Sequence, residues 1–408
     1  MHVHILSFEG PDAYARAGGI ASRIVGLTHA LADAGFDTHL WFVGAPELPG
    51  EERDGSLTLH RWCQWISEHH AAGVYDGEDG KCFDYAQSLP PYLLREHLQP
   101  CFAAGGRAVV IAEEWHTADA VIHLDALLRA HNTRQRAKLF WNANNTFGFE
   151  RIDWGRLKRA ATLTTVSRYM KHKMWARDVD PLVIPNGLGA ESFVAPDPSA
   201  VRELAARCSE RLLLTKVARW DPDKRWLLAM DTVAELKQRG HRPLLIARGG
   251  KEAHGGEVMQ RARELGLRVS WRNERAGGAH GLLNAVANAD DTDVAVLDSH
   301  LDPAARAVLF HGAEAVLANS GHEPFGLVGL ETMAVGGLAC TGASGEDYAV
   351  DGENALVLQT NDPGEFVSLF ERTRRNPDHT RELRAAGMQT ARQYAWSRVI
   401  ERTLMPRL

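Results

Sequence analysis

Cysteine is scarce in this 408-residue chain, and the five present (Cys63, Cys82, Cys101, Cys208 and Cys340) include no C-x-x-C pair. An odd, scattered set of thiols argues against a disulfide framework or a structural zinc site, and for the reduced thiols of a cytoplasm. No run of eighteen apolar residues occurs, so no membrane-spanning helix is expected. Met1 to Phe8 reads as a strand and lacks the basic leader, long apolar segment and cleavage site of an export signal. Positive charge is not in excess either: 46 Lys and Arg stand against 52 Asp and Glu, a formal net charge of -6. That balance leaves no footprint for nucleic acid, and any anion site has to be built locally. Gly249-Gly250-Lys251 lacks the G-x4-G-K-[ST] pattern, which removes phosphate-loop ATPase chemistry. Short repeats and low-complexity tracts are absent as well.

What remains is an alternation of strand and helix signals. The pattern predicts strands at Val3–Phe8, Thr38–Val43, Ala108–Ala112, Lys138–Trp141, Ala161–Val166 and Leu182–Ile184, with helices over Ile20–Ala34, Ala118–Leu128 and Arg168–Arg177 between them. Strand, glycine-bearing loop, helix, strand is the opening of a doubly wound parallel sheet. A second series follows the linker-like Ala195-Pro196-Asp197-Pro198-Ser199, with strands at Arg211–Val217, Leu244–Ala247, Val294–Leu297 and Ala315–Ala318. The length suits two such domains. The stretch from Glu47 to Pro100, with Trp62, Trp65, His69, His70, Tyr75, Tyr85, Pro90 and Pro91, breaks the rhythm and reads as a specificity insertion or large surface loop. Its Asp76-Gly77-Glu78-Asp79-Gly80 run reads as a turn, too irregular for a calcium loop.

The chemistry concentrates at Asn319-Ser320-Gly321-His322-Glu323-Pro324-Phe325-Gly326-Leu327 and the helix that follows through Glu331 to Ala334. A loop between a strand's carboxyl end and a helix's amino end offers free backbone N–H groups to phosphate and polar ligands. Glu323 and Glu331 add carboxylates, which accept hydrogen bonds from sugar hydroxyls. Arg219 and Lys224 directly follow another strand, where two cations suit a diphosphate. Arg16-Ala17-Gly18-Gly19 follows the first strand, and its glycines let backbone N–H groups approach a ligand oxygen. For Glu113, Glu114 and His116 no second histidine at i+4 supports a metal site. Ser167 suits a helix N-cap and Asn186 a turn, and ligand contact is open to both.

The Glu323 to Ala334 segment resembles the E-x7-E signature of retaining GT-B glycosyltransferases, especially family 4, with the glycogen and starch synthases as relatives. The resemblance implies an α/β GT-B fold, two Rossmann-like parallel-sheet domains facing an interdomain cleft. It divides the chain into residues 1–195 on the acceptor side, 196–385 on the donor side, and a closing helix over 386–408, within a helical stretch from about Thr380 to Leu404, that crosses back. It assigns Glu323 to the transferred sugar, the Phe325-Gly326-Leu327 backbone to sugar and phosphate, and Glu331 to the ribose. The R-x4-K spacing of Arg219 and Lys224 matches the family's phosphate clamp, which implies no metal requirement and no cofactor. Gly18 and Gly19 match the amino-terminal glycine loop, with Arg16 where relatives carry lysine. Trp115-His116-Thr117-Ala118 matches the synthases' D-W-H-T-A stretch, with Glu114 at the acidic position and His116 facing the reacting centre. Ser167 and Asn186 match the V-S and P-N-G positions. The Gly342-Ala343-Ser344-Gly345-Glu346-Asp347 loop departs from the synthases' threonine-glycine-glycine.

The implied activity moves a hexosyl, by preference glucosyl, group from a nucleoside diphosphate sugar to a carbohydrate or other hydroxyl acceptor with retention. UDP-glucose and ADP-glucose are the leading donors by resemblance. A sugar-nucleotide epimerase, a phosphorylase on the same fold and a non-catalytic nucleotide-sugar-binding protein are the rival readings. No pyridoxal-phosphate lysine motif of a glycogen-type phosphorylase is evident.

Overall fold

The computed structural model describes residues 1–273, 277–287 and 291–408. It divides into two compact units, Met1–Gly187 with Trp396–Leu408, and Leu188–Ala395.

In the first unit, β1 (His2–Leu6), β2 (Asp37–Val43), β3 (Glu51–Asp54), β4 (Leu57–Trp62), β5 (Ala108–Glu113), β6 (Ala137–Ala143), β7 (Thr162–Thr165) and β8 (Leu182–Val183) form one sheet in the order β3-β4-β2-β1-β5-β6-β7-β8. All neighbours pair in parallel except the edge strand β3, which is antiparallel to β4. Side chains on a strand alternate between faces, so Val3 and Ile5 of β1 join Leu40, Phe42, Val109 and Ile111 in one apolar layer. The same layer takes in Trp396, Val399, Ile400 and Leu404 from the chain's last turns. Trp396 seats so closely over Gly26 that an added Cβ there would lie 2.2 Å from the indole nitrogen. The alternate residues on the other face are unusual: His4, His39, Trp41 and His60 stack side by side.

The Glu47–Pro100 stretch is not a surface loop. It supplies β3 and β4 to the sheet and then a helix, Glu78–Leu93, that carries Pro90 and Pro91 inside it before a wider π turn at Leu94–Leu98. Two prolines read as helix breakers because each lacks an N–H and crowds the preceding turn. Here the helix keeps both, and the widened turn comes directly after them. The segment is held by Lys81, wholly buried, whose Nζ donates to the Tyr14 hydroxyl at 2.6 Å and to the carbonyls of Gly73, Val74 and Asp76 at 3.1, 3.1 and 2.6 Å. A buried ammonium with four acceptors satisfies itself and fixes the turn around it. Of the Asp76–Gly80 run, Gly77 is in the turn and Glu78 already opens the helix.

In the second unit, β9 (Leu212–Val217), β10 (Pro243–Arg248), β11 (Val269–Arg272), β12 (Val294–Leu297), β13 (Ala315–Ala318), β14 (Ala339–Thr341) and β15 (Leu356–Val357) form a wholly parallel sheet in the order β11-β12-β10-β9-β13-β14-β15. Both faces are covered, so the strands are apolar throughout: Leu212 and Leu214 point into one core layer, Leu213 into the other. The helical stretch expected to run from about Thr380 to Leu404 is interrupted. Pro377–Gln393 is one helix, Tyr394 and Ala395 leave helical geometry, and a short turn resumes at Trp396. Among the described residues no helix is long and apolar enough to cross a membrane.

These strand orders decide where ligands go. In each unit the order reverses beside the first strand, between β1 and β5 and between β9 and β13, and loops at the carboxyl ends there diverge to leave a crevice. The loops after β1, β5, β9 and β13 carry most of the candidate residues.

Candidate functional site

In the second unit the loops after β9 and β13 meet. Asp221 caps a single tight turn, Pro222–Lys224, by accepting from the Asp223 N–H at 2.9 Å. The Asp223 carbonyl accepts from the Gly321 N–H at 2.6 Å and ties the two loops together. Lys224 and Glu323, ninety-nine residues apart, then form an ion pair at 2.5 Å, both largely shielded from solvent. Arg219 is exposed, its carbonyl accepting from the Trp226 indole at 2.7 Å.

Glu323 is held from behind. Its N–H donates to Ser344 Oγ at 2.9 Å, and the Ser344 hydroxyl lies 3.3 Å from both the Glu323 carbonyl and Glu346 Oε2. Phe325 is buried against Tyr348 and Tyr394, worth on the order of 2 to 3 kcal/mol of anchoring for the loop. Its ring is therefore core, and only backbone is left to face a ligand. Gly326 precedes the helix Leu327–Ala334 at φ 77°, in the left-handed region, where a Cβ would meet Glu346 Cγ at 2.7 Å. That conformation and that crowding both require glycine. Leu327 is the first residue of the helix, and Glu331, one turn further on, is paired with Arg306 at 3.3 Å. Burial pushes the Glu331 carboxyl up, against the pull of Arg306.

Three residues here have no local sequence signal. Glu346 is buried beside Glu323; burial first, then the Glu323 charge, raises it to about 7, and its Oε1 has no hydrogen-bond partner. Arg225, left-handed at φ 53°, has a buried Nη1 without a partner. Lys216 in β9 is fully buried, donating to the Leu317 carbonyl at 2.9 Å and Asn319 Oδ1 at 3.0 Å, so it fixes the start of the loop that leads to Glu323. The apolar periodicity of β9 hides this lysine, and only the pairing of β9 with β13 explains it.

Burial lowers Lys216 from 10.5 to about 7. The folded-state value lies below the unfolded one, so between the two the unfolded chain binds more protons. Stability therefore rises with pH across that window, and this contribution is lost as pH falls through 7. Urea unfolding of Lys216→Met should lack this dependence, which amounts to at most about 1.4 kcal/mol per pH unit between about pH 7 and 10. An unchanged slope in the variant would refute the assignment.

In the first unit, His116 lies in the loop after β5, buried between Phe8 and Trp115 with ring centroids 4.3 and 4.0 Å away. Burial, then the nearby Arg151 charge, lowers it to about 3, so it is a neutral imidazole at pH 7. Nε2 donates to Glu78 Oε1 at 2.8 Å, which leaves Nδ1, buried and without a partner, as an acceptor. A cleft lined by Asp79, Cys82, Phe83, Trp115, His116 and Arg151 opens beside it.

The glycine loop is more occupied than its sequence suggests. The Glu9 carboxylate accepts from the N–H groups of Ala17, Gly18 and Ala21 at 3.3, 3.0 and 3.0 Å and from the Tyr75 hydroxyl at 2.6 Å. This carboxylate takes the anion position at the amino end of the helix Gly19–Asp33. Gly18 and Gly19 have open space where a side chain would project, and exposed Arg16 donates to the Pro11 carbonyl at 3.1 Å. Ser167 caps the helix Arg168–Trp175, accepting from the Met170 N–H at 3.1 Å. Asn186 accepts from Arg23 Nη1 at 2.6 Å in a buried network in which Arg23 also pairs with Glu113 at 3.1 Å and Asn142 and Asn144 donate to Glu113 at 2.8 Å. Glu114, buried and raised to about 8, accepts from the Asn144 N–H at 2.6 Å.

No protein-family model matches the chain. Two curated relatives are D-inositol 3-phosphate glycosyltransferases: that of Thermomonospora curvata is 28% identical over 97 residues, covering 23% of this chain and 22% of that protein, and that of Frankia alni is 26% identical over 233 residues, covering 54% and 51%. The chain thus spans about half, or less, of the length of the curated relatives it matches. Solved structures match over nearly the whole chain. Sucrose-phosphate synthase from Thermosynechococcus elongatus has a TM-score of 0.66 at 16% identity, over 98% of this chain and 96% of that one. The trehalose-6-phosphate synthase OtsA has 0.67 at 14% identity, over 98% and 97%, and Anabaena HepE in complex with UDP and glucose has 0.61 at 13%, over 98% of each. With two doubly wound sheets and neighbours of this type along its length, the chain has the GT-B fold.

Proposed function

We propose that this protein is a retaining glycosyltransferase that moves a hexosyl group, by preference glucosyl, from a nucleoside diphosphate sugar to a hydroxyl acceptor, with no metal or cofactor required. The observation that carries the reading is the Lys224–Glu323 ion pair at the switch point between β9 and β13, with Glu331 in the helix that follows Glu323. The ammonium and the carboxylate neutralise each other without ligand, and a donor offers each a better partner: phosphate oxygens for Lys224 and sugar hydroxyls for Glu323. Arg219, exposed on the same loop as Lys224, is assigned as a second cation for the diphosphate, and Glu331 is assigned to the ribose hydroxyls.

In this reaction the bond from the anomeric carbon to the diphosphate oxygen breaks and a bond to the acceptor oxygen forms on the same face. The acceptor's proton passes to the departing phosphate oxygen, and the charge growing on the diphosphate is stabilised by Arg219 and Lys224. Glu323 orients the sugar, while neutral His116 offers Nδ1 as a hydrogen-bond acceptor to a hydroxyl. Gly18, Gly19, Arg16, Ser167 and Asn186 retain supporting roles in this proposal, chiefly through backbone and loop shape.

The relatives' and neighbours' names include inositol 3-phosphate, sucrose phosphate and trehalose phosphate, which supports trying sugar and polyol phosphates first as acceptors. Incubation with UDP-glucose or ADP-glucose and such acceptors should release nucleoside diphosphate and a glycosylated product in equal amounts. An epimerised donor, or bound donor without turnover, would overturn the transferase reading.

A further inference from the structure

We propose that His2, Asp37 and His39 form a binding site for a divalent transition-metal ion of the zinc type, on the first unit's sheet and apart from the transfer chemistry. The three side chains share one face. His2 of β1 is the register partner of Asp37 on β2, and His39 lies two residues beyond Asp37 on the same strand. One ligand atom from each lies within 4.8 Å of the others, with His2 Nδ1 3.2 Å and His39 Nε2 3.7 Å from Asp37 Oδ2. Donors bound to a tetrahedral zinc at 2.0–2.1 Å stand about 3.3 Å apart, so two of the spacings are close to a ligand set already. The His2 side chain is one-third exposed.

Hydrogen-bond accounting points the same way. His39 Nδ1 faces His60 Nε2 at 3.0 Å, and His60 Nδ1 faces Glu51 Oε2 at 3.4 Å. With the His60 Nδ1 proton directed at Glu51, His60 Nε2 accepts from His39 Nδ1–H. In that tautomer His39 Nε2 is a lone pair, buried and facing the Asp37 carboxylate at 3.7 Å. His2 Nδ1 is likewise buried, without a hydrogen-bond partner. Both nitrogens converge on one carboxylate, and a cation bound by the two imidazoles and Asp37 would satisfy all three groups at once. The chain from Glu51 through His60 to His39 is the kind of outer support that fixes the tautomer of a metal-bound imidazole. Two imidazoles and a carboxylate suit zinc, cobalt or nickel over calcium or magnesium, with the fourth position left for water. The site lies at the amino ends of β1 and β2, whereas the glycine loop and His116 follow the carboxyl ends of β1 and β5. Its consequence is therefore expected in stability.

The test uses the full chain, made without a polyhistidine tag and stripped with chelator, and titrates it with zinc chloride and separately with cobalt chloride. One equivalent of zinc should bind and raise Tm by about 5 °C at hundredfold excess over Kd, and cobalt should give the intense visible bands of a tetrahedral site. His2→Ala and Asp37→Asn, both at partly exposed positions, should abolish binding, bands and Tm rise while keeping the metal-free wild-type Tm within about 2 °C. Absence of saturable binding to wild type, or equal binding by both variants, would overturn the proposal.

Discussion

Lys224→Ala is expected to lower glycosyl transfer by about 10²- to 10³-fold in kcat, the loss typical of removing one preorganised group from a developing negative charge. The structural reason is that Lys224 has no substitute in its geometry. Arg219 is exposed on the same loop, Lys216 is committed to the Leu317 carbonyl and Asn319, and Arg225 packs its side chain beside Gly321, while Lys224 alone among these cations is ion-paired to Glu323. The variant also leaves Glu323 without its 2.5 Å partner in a half-buried setting. Lys224→Arg keeps the charge on a wider, planar group, so it should recover only part of the rate. Initial rates with donor and acceptor both saturating check this, and a variant within about threefold of wild type would sink the role given to Lys224.

A comparable loss is expected from Gly345→Ala, through position and not charge. A Cβ on Gly345 would lie 2.2 Å from the Glu323 carbonyl oxygen and 2.3 Å from that of Pro324, and both are backbone that cannot rotate aside. The loop after β13 must therefore move, carrying Glu323 away from Lys224 and from Ser344 Oγ. Misplacement of a reacting group by about 1 Å costs about 10²-fold, and the fold should survive because Phe325 and the helix Leu327–Ala334 remain anchored. The discriminating measurement pairs kcat with Tm: a large fall in kcat with Tm within a few degrees is the predicted pattern. Wild-type kcat would contradict the claim that loop position matters.

What was legible in the sequence is what local chemistry dictates. Strands Val294–Leu297 and Ala315–Ala318, and the helix from Leu327 to its stop at Gly336-Gly337, follow from apolar runs bounded by turn residues. Ser167 was readable as an N-cap because a cap acts on the N–H three residues ahead. Lys224 and Glu323 were readable individually because each follows a strand end, but their 2.5 Å pairing depends on β9 lying beside β13. Glu9, Lys216 and Glu346 were illegible for the same reason. Glu9 satisfies N–H groups up to twelve residues ahead, Lys216 carbonyl and amide oxygens about a hundred residues away, and Glu346 is defined by a neighbour across the Gly326 turn. The surface-loop reading of the Glu47–Pro100 stretch failed because its order rests on Lys81 finding four oxygen acceptors, and a lysine in sequence reads as surface. The histidine face of the first sheet was visible as His2-Val3-His4, yet its meaning appeared only once β2 and β4 were aligned beside β1.

Calorimetric titration of UDP-glucose and ADP-glucose into wild type and Lys224→Ala tests the central claim most directly. The account predicts saturable one-to-one binding of at least one donor by wild type, weakened at least tenfold in the folded variant, because a charge-assisted phosphate contact contributes about 1.5 to 3 kcal/mol. Failure of wild type to bind either donor, or equal Kd values in both proteins, would contradict it.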